Sequence, residues 1–238
     1  MSLKKIFLKT KISYKIYLYY NLYIRHKGFL RRERYSQWGE DQYITQFFKE
    51  KEKGIYLDIG CFNPFMYSNT CLLHRRGWKG INIDINPTSI DLFNIARKRD
   101  KNICAAISNN NQLAEFYFDH LLSPVNTLSK EFSELSYKNI SRNKYTKKSV
   151  QKFTFEKLIE KFNLKIPNID FLNVDAEAHD FEVLEGFDFD KYKPKIICVE
   201  LYDTKLELKE KKFKDYLASF RYSLIKKIGP NGIFCYKC

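Results

Sequence analysis

The sequence predicts an α/β fold: a mostly parallel seven-stranded sheet with a C-terminal antiparallel hairpin. Three observations carry this. From residue 55 onward, short apolar runs alternate with amphipathic segments of helical length, the pattern of strands joined by right-handed crossovers. Two of the runs end in an acid. One is Ile55-Tyr56-Leu57-Asp58-Ile59-Gly60-Cys61; the other, about twenty residues on, is Gly80-Ile81-Asn82-Ile83-Asp84-Ile85-Asn86-Pro87. A strand closing in Asp-x-Gly, then a helix, then a strand closing in an acid is the wiring of a nucleoside-binding sheet. Lastly, Gly229-Pro230-Asn231-Gly232 between runs 222–228 and 232–237 signals a hairpin.

The elements follow in order. Residues 3–24 place Leu3, Ile6, Ile12, Ile16, Tyr19, Tyr20 and Tyr23 among lysines at helical spacing. Ser36 or Asp41 can cap a helix running to about Phe48. The first strand is 55–61. A turn at Asn63-Pro64 leads to a helix over 67–76, ended by Gly77. The second strand, 81–86, precedes a helix over 88–99 that Asn86 or Thr88 caps. The third strand is 102–108, and 114–118 alternates like a short antiparallel strand. From about 120 to 150 polar and basic residues dominate, which predicts a loop or small helical insert. Residues 155–162 form a helix, and 169–175 the fourth strand. A helix over 180–184 stops at Gly186; the fifth strand is 195–201, and a helix covers 207–219.

Composition divides the chain into a basic, aromatic-rich helical appendage (1–34) and a domain (35–238). The net charge is +14, from 42 Lys and Arg against 28 Asp and Glu, and residues 1–34 supply +9 of it with ten basic side chains and one acid, Glu33. The hydrophobic fraction of 44% suits a packed core. The N-terminal helix has two readings: an interfacial helix resting on anionic lipid, or a helix packed on the domain with a solvated basic face. Its lysines interrupt any signal-peptide core, and no apolar run approaches the roughly 18–20 residues of a transmembrane helix. The expected location is therefore cytoplasmic, with peripheral contact at the inner membrane face. Six scattered cysteines read as free thiols. Gly60 stands without the further glycines of G-x-G-x-x-G, which disfavours hydride transfer with a dinucleotide.

Six blocks then stand in order: YSQWGEDQ (35–42), GIYLDIGCFNPFMYSNT (54–70), GWKGINIDINP (77–87), NTLSKE (126–131), IDFLNVDAEAHDFEVLEG (169–186) and KPKIICVE (193–200). Together they resemble the FkbM family of S-adenosylmethionine-dependent methyltransferases. The resemblance implies a Rossmann-like methyltransferase fold and O-methylation of a sugar, a glycan or a small molecule, lipid-linked acceptors included. It implies S-adenosylmethionine as cofactor. Asp58 and Gly60 correspond to the first cofactor loop and Asp84 to the acid for the ribose hydroxyls. Ser36, Gln37 and Glu40 match the block that closes over the methionine end. Ser108, closing the third strand, completes the cofactor-binding candidates. Asp175 and Glu177 match the acidic block beside the transferred methyl group. Two departures stand out: Ala178 replaces a family glycine, and His179-Asp180 replaces a second acidic pattern.

An acceptor hydroxyl gains from a nearby base, and Asp175, Glu177 and His179 are the catalytic candidates. These residues with Asp180 could also gather Mg²⁺ or Mn²⁺, but no metal site is favoured. Two other functions remain open. One is RNA methylation, suggested by the basic pI but opposed by charge concentrated at the N-terminus, so nucleic acid is not the expected partner. The other is a non-catalytic membrane-associated binding module, for which Ala178 is the main support.

Overall fold

The computed structural model describes residues 10–139, 145–166, 168–202 and 208–238. Among them the strands are β1 (Ile55–Ile59), β2 (Lys79–Asp84), β3 (Lys101–Cys104), β4 (Ala106–Ile107), β5 (Leu113–Phe118), β6 (Thr146–Phe153), β7 (Phe171–Val174), β8 (Ile196–Glu200), β9 (Tyr222–Ile228) and β10 (Asn231–Tyr236). The helices are α1 (Lys11–Tyr20), α2 (Glu40–Phe47), α3 (Cys71–Arg75), α4 (Pro87–Ala96), α5 (Lys130–Asn139), α6 (Phe155–Lys161), α7 (Asp180–Glu185) and α8 (Glu210–Ser219).

Seven strands form the main sheet in the order β3-β2-β1-β7-β8-β10-β9. The pairs β1–β2, β2–β3, β1–β7 and β7–β8 are parallel, and β10 pairs antiparallel with both β8 and β9. The predicted class, a mostly parallel sheet with a closing antiparallel hairpin, is the observed one. Strand residues alternate between two covered faces, as a sheet flanked by helices requires. Leu57, Ile59, Leu172, Val174, Ile197 and Val199 face Leu158, Val183, Leu184, Phe213 and Leu217 of α6, α7 and α8. Tyr56, Phe171, Ile196 and Ile233 face Ile44, Phe48, Leu73 and Trp78 on the other side. The strand order reverses between β1 and β7, and open α/β sheets bind ligands at the carboxyl ends beside such a switch.

Several boundaries differ from the expectation. Chain 60–70 is a structured loop rather than strand end and helix start. Phe62 and Tyr67 have φ of 46° and 57°, and Asn63 Oδ1 accepts from the backbone N–H groups of Phe65 and Met66 at 3.0 Å each, so α3 begins only at Cys71. The residue before α2 is Gly39, and Ser36 Oγ accepts its N–H at 3.0 Å. Asn86, not Thr88, caps α4. The third predicted strand divides: β3 stays in the main sheet, while β4 leaves it to pair with β6.

The region expected as a loop or small helical insert holds α5 and the eight-residue β6. Strand β6 lies between β4 and β5 in a second, three-stranded sheet. Part of the basic run there, residues 140–144, lies outside the described residues, as do the predicted N-terminal helix before residue 10 and position 207. Cys61, Cys71, Cys104 and Cys198 are free, as expected, but Cys235 and Cys238 are paired in a disulfide. Lys237, at φ 48°, reverses the chain and returns Cys238 to Cys235, which strand alternation alone does not provide.

Candidate active site

Asp58, Asp84 and Asp175 stand at or just past the carboxyl ends of the neighbouring strands β1, β2 and β7. The loops that follow them enclose a cleft that opens to solvent at the switch point, where open α/β sheets bind their ligands. Gln37, Asp58, Gly60, Asp84, Asp175, Glu177 and His179 all line it. The close approach of β1 and β7 demands Gly60. Its φ is +79°, and a Cβ there would lie 1.8 Å from the carbonyl oxygen of Asp175.

Asp84 presents an organised carboxylate. Oδ2 accepts the N–H of Phe62 at 2.8 Å and Oδ1 that of Asn86 at 2.7 Å. Burial raises its pKa to about 6, against these two hydrogen bonds. Asp58 is more deeply enclosed. Oδ2 accepts from Thr70 at 2.6 Å and Oδ1 from Asn173 at 2.8 Å, and burial again raises its pKa. Thr70 Oγ1 in turn accepts from Arg97 Nη1 at 2.8 Å. That buried guanidinium also reaches Tyr56 Oη, Ser68 Oγ and the carbonyl of Pro64. Burial opposes its charge, yet Tyr56, Asp58 and Asp100 nearby hold its pKa above the usual value. A cation thus sits beneath the cavity floor and fixes the 62–70 loop from below.

Opposite Asp84 lies a cluster of carboxyl groups. Asp175 is raised to about 8 by burial and by Asp180, and Glu177 well above its usual value by burial and by Asp175 and Glu200. Glu200, at the end of β8, is raised to about 9 by burial and by Asp175. Asp180 rises to about 7 through burial; Oδ1 accepts the N–H of Ala176 at 2.9 Å, while Oδ2 is buried without a hydrogen-bond partner. Like charges this close cannot all ionise together, so the cluster holds protons near neutrality. Glu200 is the site residue that sequence reasoning missed, although an acid closing an apolar strand is the signal that marked Asp58 and Asp84.

The loop after β7 carries the cluster in left-handed backbone, with φ of 51° at Glu177 and 66° at Ala178. The departure from glycine at 178 therefore falls where an L side chain is disfavoured. Thr127 braces this loop: its Oγ1 donates to the Glu177 carbonyl at 2.7 Å. His179 is held on both sides, with Nε2 3.0 Å from Ser108 Oγ and Nδ1 3.7 Å from Glu182, and burial lowers its pKa.

Three sequence candidates lie behind the cavity wall instead of on it. Ser36 donates to Asp41 Oδ1 at 2.6 Å. Glu40 accepts from Asn231 Nδ2 at 2.7 Å and from the Trp38 N–H at 3.0 Å, tying the N-terminal block to the hairpin. Ser108 serves as the partner of His179. Among the described residues, no group of three or more His, Cys, Asp or Glu side chains is arranged to hold a metal ion.

Residues 58–224 match the family model described as the methyltransferase FkbM domain. The upstream block 35–42 lies outside that span. Among solved structures, the chain is similar to the methyltransferase FkbM from Methylobacillus flagellatus KT, with a TM-score of 0.46 and 12% identity over 94% of this chain and 54% of that one. The chain thus spans about half the length of that protein. No curated protein matches.

Proposed function

Because the chain belongs to the FkbM methyltransferase family, we propose that it transfers a methyl group from S-adenosylmethionine to a hydroxyl of a sugar or glycan. One observation carries this reading: a single cavity at the switch point combines a strand-end acid, Asp84, with the partly buried carboxyl groups of Asp175, Glu177 and Glu200. The residues present fit that cofactor. When bound, it supplies an electrophilic methyl group on a cationic sulfur.

Asp84 is ionised above about pH 6, and each of its oxygens, already oriented by a backbone N–H, retains capacity to accept a ribose hydroxyl. Gly60 leaves room for backbone to approach the ligand. Asp58, Thr70 and Arg97 fix the loop above them. The carboxyls of Asp175, Glu177 and Glu200 that line the cavity suit a cationic ligand, which would favour their ionised forms.

Asp175 and Glu177 are the groups we assign to the acceptor hydroxyl. The ionised form of Asp175 or Glu177, which a bound cationic cofactor favours, can take the hydroxyl proton. Alignment of hydroxyl and methyl group supplies much of the remaining rate. His179, neutral and engaged through both ring nitrogens, orients the wall of the cavity. The acidic lining speaks against a polyanionic acceptor such as RNA.

Calorimetry tests the reading directly. Wild-type protein should bind S-adenosylmethionine and S-adenosylhomocysteine. Asp84→Ala, which removes two charge-assisted acceptors, should weaken both by roughly 10- to 100-fold. Absence of binding to the wild type, or an unchanged affinity in the variant, would sink it. Asp175→Asn should bind cofactor but lose methyl transfer to a glycan acceptor.

A further inference from the structure

We propose that the outward face of α1 and the turn after it is a docking surface for an anionic lipid bilayer. The helix is well defined. Thr10 and Ser13 cap its start reciprocally, and a π-helical turn over Asn21–Arg25 extends it. Its inward face is already occupied. Leu18 and Leu22 pack on Leu92 of α4, together with Tyr14, Tyr17, Phe65, Ile95 and Leu122. Tyr14 Oη donates to Asp91 Oδ2 at 2.8 Å, which fixes the rotation of α1 on the domain.

Among the described residues, none packs over Ile12, Ile16 or Ile24 on the opposite face. Ile12, Ile16, Tyr19, Tyr20, Tyr23 and Ile24 form one continuous apolar trough. Ile12 is 75% exposed, Ile24 61% and Ile16 54%. Positions 12, 16, 19/20 and 23/24 recur at the helical period, so the stripe is a face and not a scatter of single residues. Branched aliphatic side chains reach hydrocarbon, whereas tyrosines suit the headgroup layer.

Charge selects the occupant. Lys11, Lys15, Arg25, Lys27, Arg31, Arg32 and Arg34 are all exposed along α1 and the chain that follows it, and Glu33 is the sole acid between residues 10 and 34. A second copy of the chain would bring like charges together around the rim. An anionic membrane surface attracts every one of them, and the attraction falls with salt. This inference does not rest on the methyl-transfer reading, because the surface lies outside the cavity.

Vesicle co-sedimentation of the full chain tests it. Phosphatidylcholine vesicles containing phosphatidylglycerol should bind the protein at least about tenfold better than phosphatidylcholine alone, and high salt should remove the difference. The double variant Ile12→Asp/Ile16→Asp should lose binding about tenfold or more, and Lys11→Glu/Lys15→Glu should lose only the anionic preference. Both pairs are exposed, so calorimetric cofactor binding should match wild type and report an intact fold. Equal binding to neutral and anionic vesicles, wild-type binding by the Ile12→Asp/Ile16→Asp variant, or a wild-type dimer that the same variant dissolves without any vesicle binding would each overturn the proposal. Vesicle binding by a protein that fails to bind cofactor would leave it standing and count against the enzyme reading alone.

Discussion

Ala178 concentrates a conflict between backbone and packing in one methyl group. Its φ of 66° is unfavourable for an L residue by about 1–2 kcal/mol. Against that, the methyl is buried beside Val125 and Phe132, worth about 0.8 kcal/mol. Relief of the backbone should win narrowly. Ala178→Gly is thus expected to raise stability by up to about 1 kcal/mol, or roughly 2–4 °C in Tm for a chain of this size; a lowered melting temperature would show that packing dominates. The residue scale is also where the sequence is least legible. An acid at a strand end announces itself, as Asp58 and Asp84 do. A left-handed Glu177-Ala178 pair does not, since neither residue type favours that conformation. Nor does any pattern reveal that Ser108 faces His179 across 71 positions.

Among the elements, the insert between β4 and α6 governs the loop that carries the acids. Thr127 pairs with Tyr117 through two backbone hydrogen bonds and holds the Glu177 carbonyl with its hydroxyl. Thr127→Val keeps the shape and removes that donor, a loss of roughly 0.5–1.5 kcal/mol. The expected result is a lower kcat for methyl transfer with an unchanged cofactor Kd, because Asp84 lies across the cavity; a shift in Kd alone would contradict it. Strands β1, β2, β7 and β8 were readable because each is a short, largely apolar run buried on both faces. Strand β6 was not, because Lys147, Lys148 and Ser149 are exposed and its lysines cover the Tyr117 and Phe118 rings from outside. Helix α5 fell within the expected loop or small helical insert, but its bounds were not readable: beside Phe132 it buries Ser133 and Ser136, which carry no hydropathy signal.

For the molecule as a whole, the carboxyl cluster ties stability to pH. Asp180, Asp175 and Glu200 hold their protons up to about 7, 8 and 9 in the fold, whereas an unfolded chain releases them near 4. The folded state binds more protons between those limits, so stability falls as pH rises through that window. Thermal melts of the ligand-free protein should therefore give a Tm that declines from about pH 6 to pH 9, and the triple variant Asp175→Asn/Asp180→Asn/Glu200→Gln should flatten the decline. A wild-type Tm that climbs over this range would contradict the assignment. Cofactor binding has a matching signature: a cationic sulfonium should expel protons that neutral S-adenosylhomocysteine leaves in place, read as a buffer-dependent binding enthalpy. The charge map was legible at this scale because most of the basic excess, +9 of +14, falls in residues 1–34.

Helix α1 rests on Phe65 and Leu122, residues of two loops that border the cavity. That contact links the proposed bilayer surface to the loops of the proposed cofactor site. If a bilayer, by stiffening those loops, changes cofactor affinity by some factor, linkage requires the cofactor to change bilayer affinity by the same factor. With a factor above one, the chain would bind membrane best with its methyl donor in place.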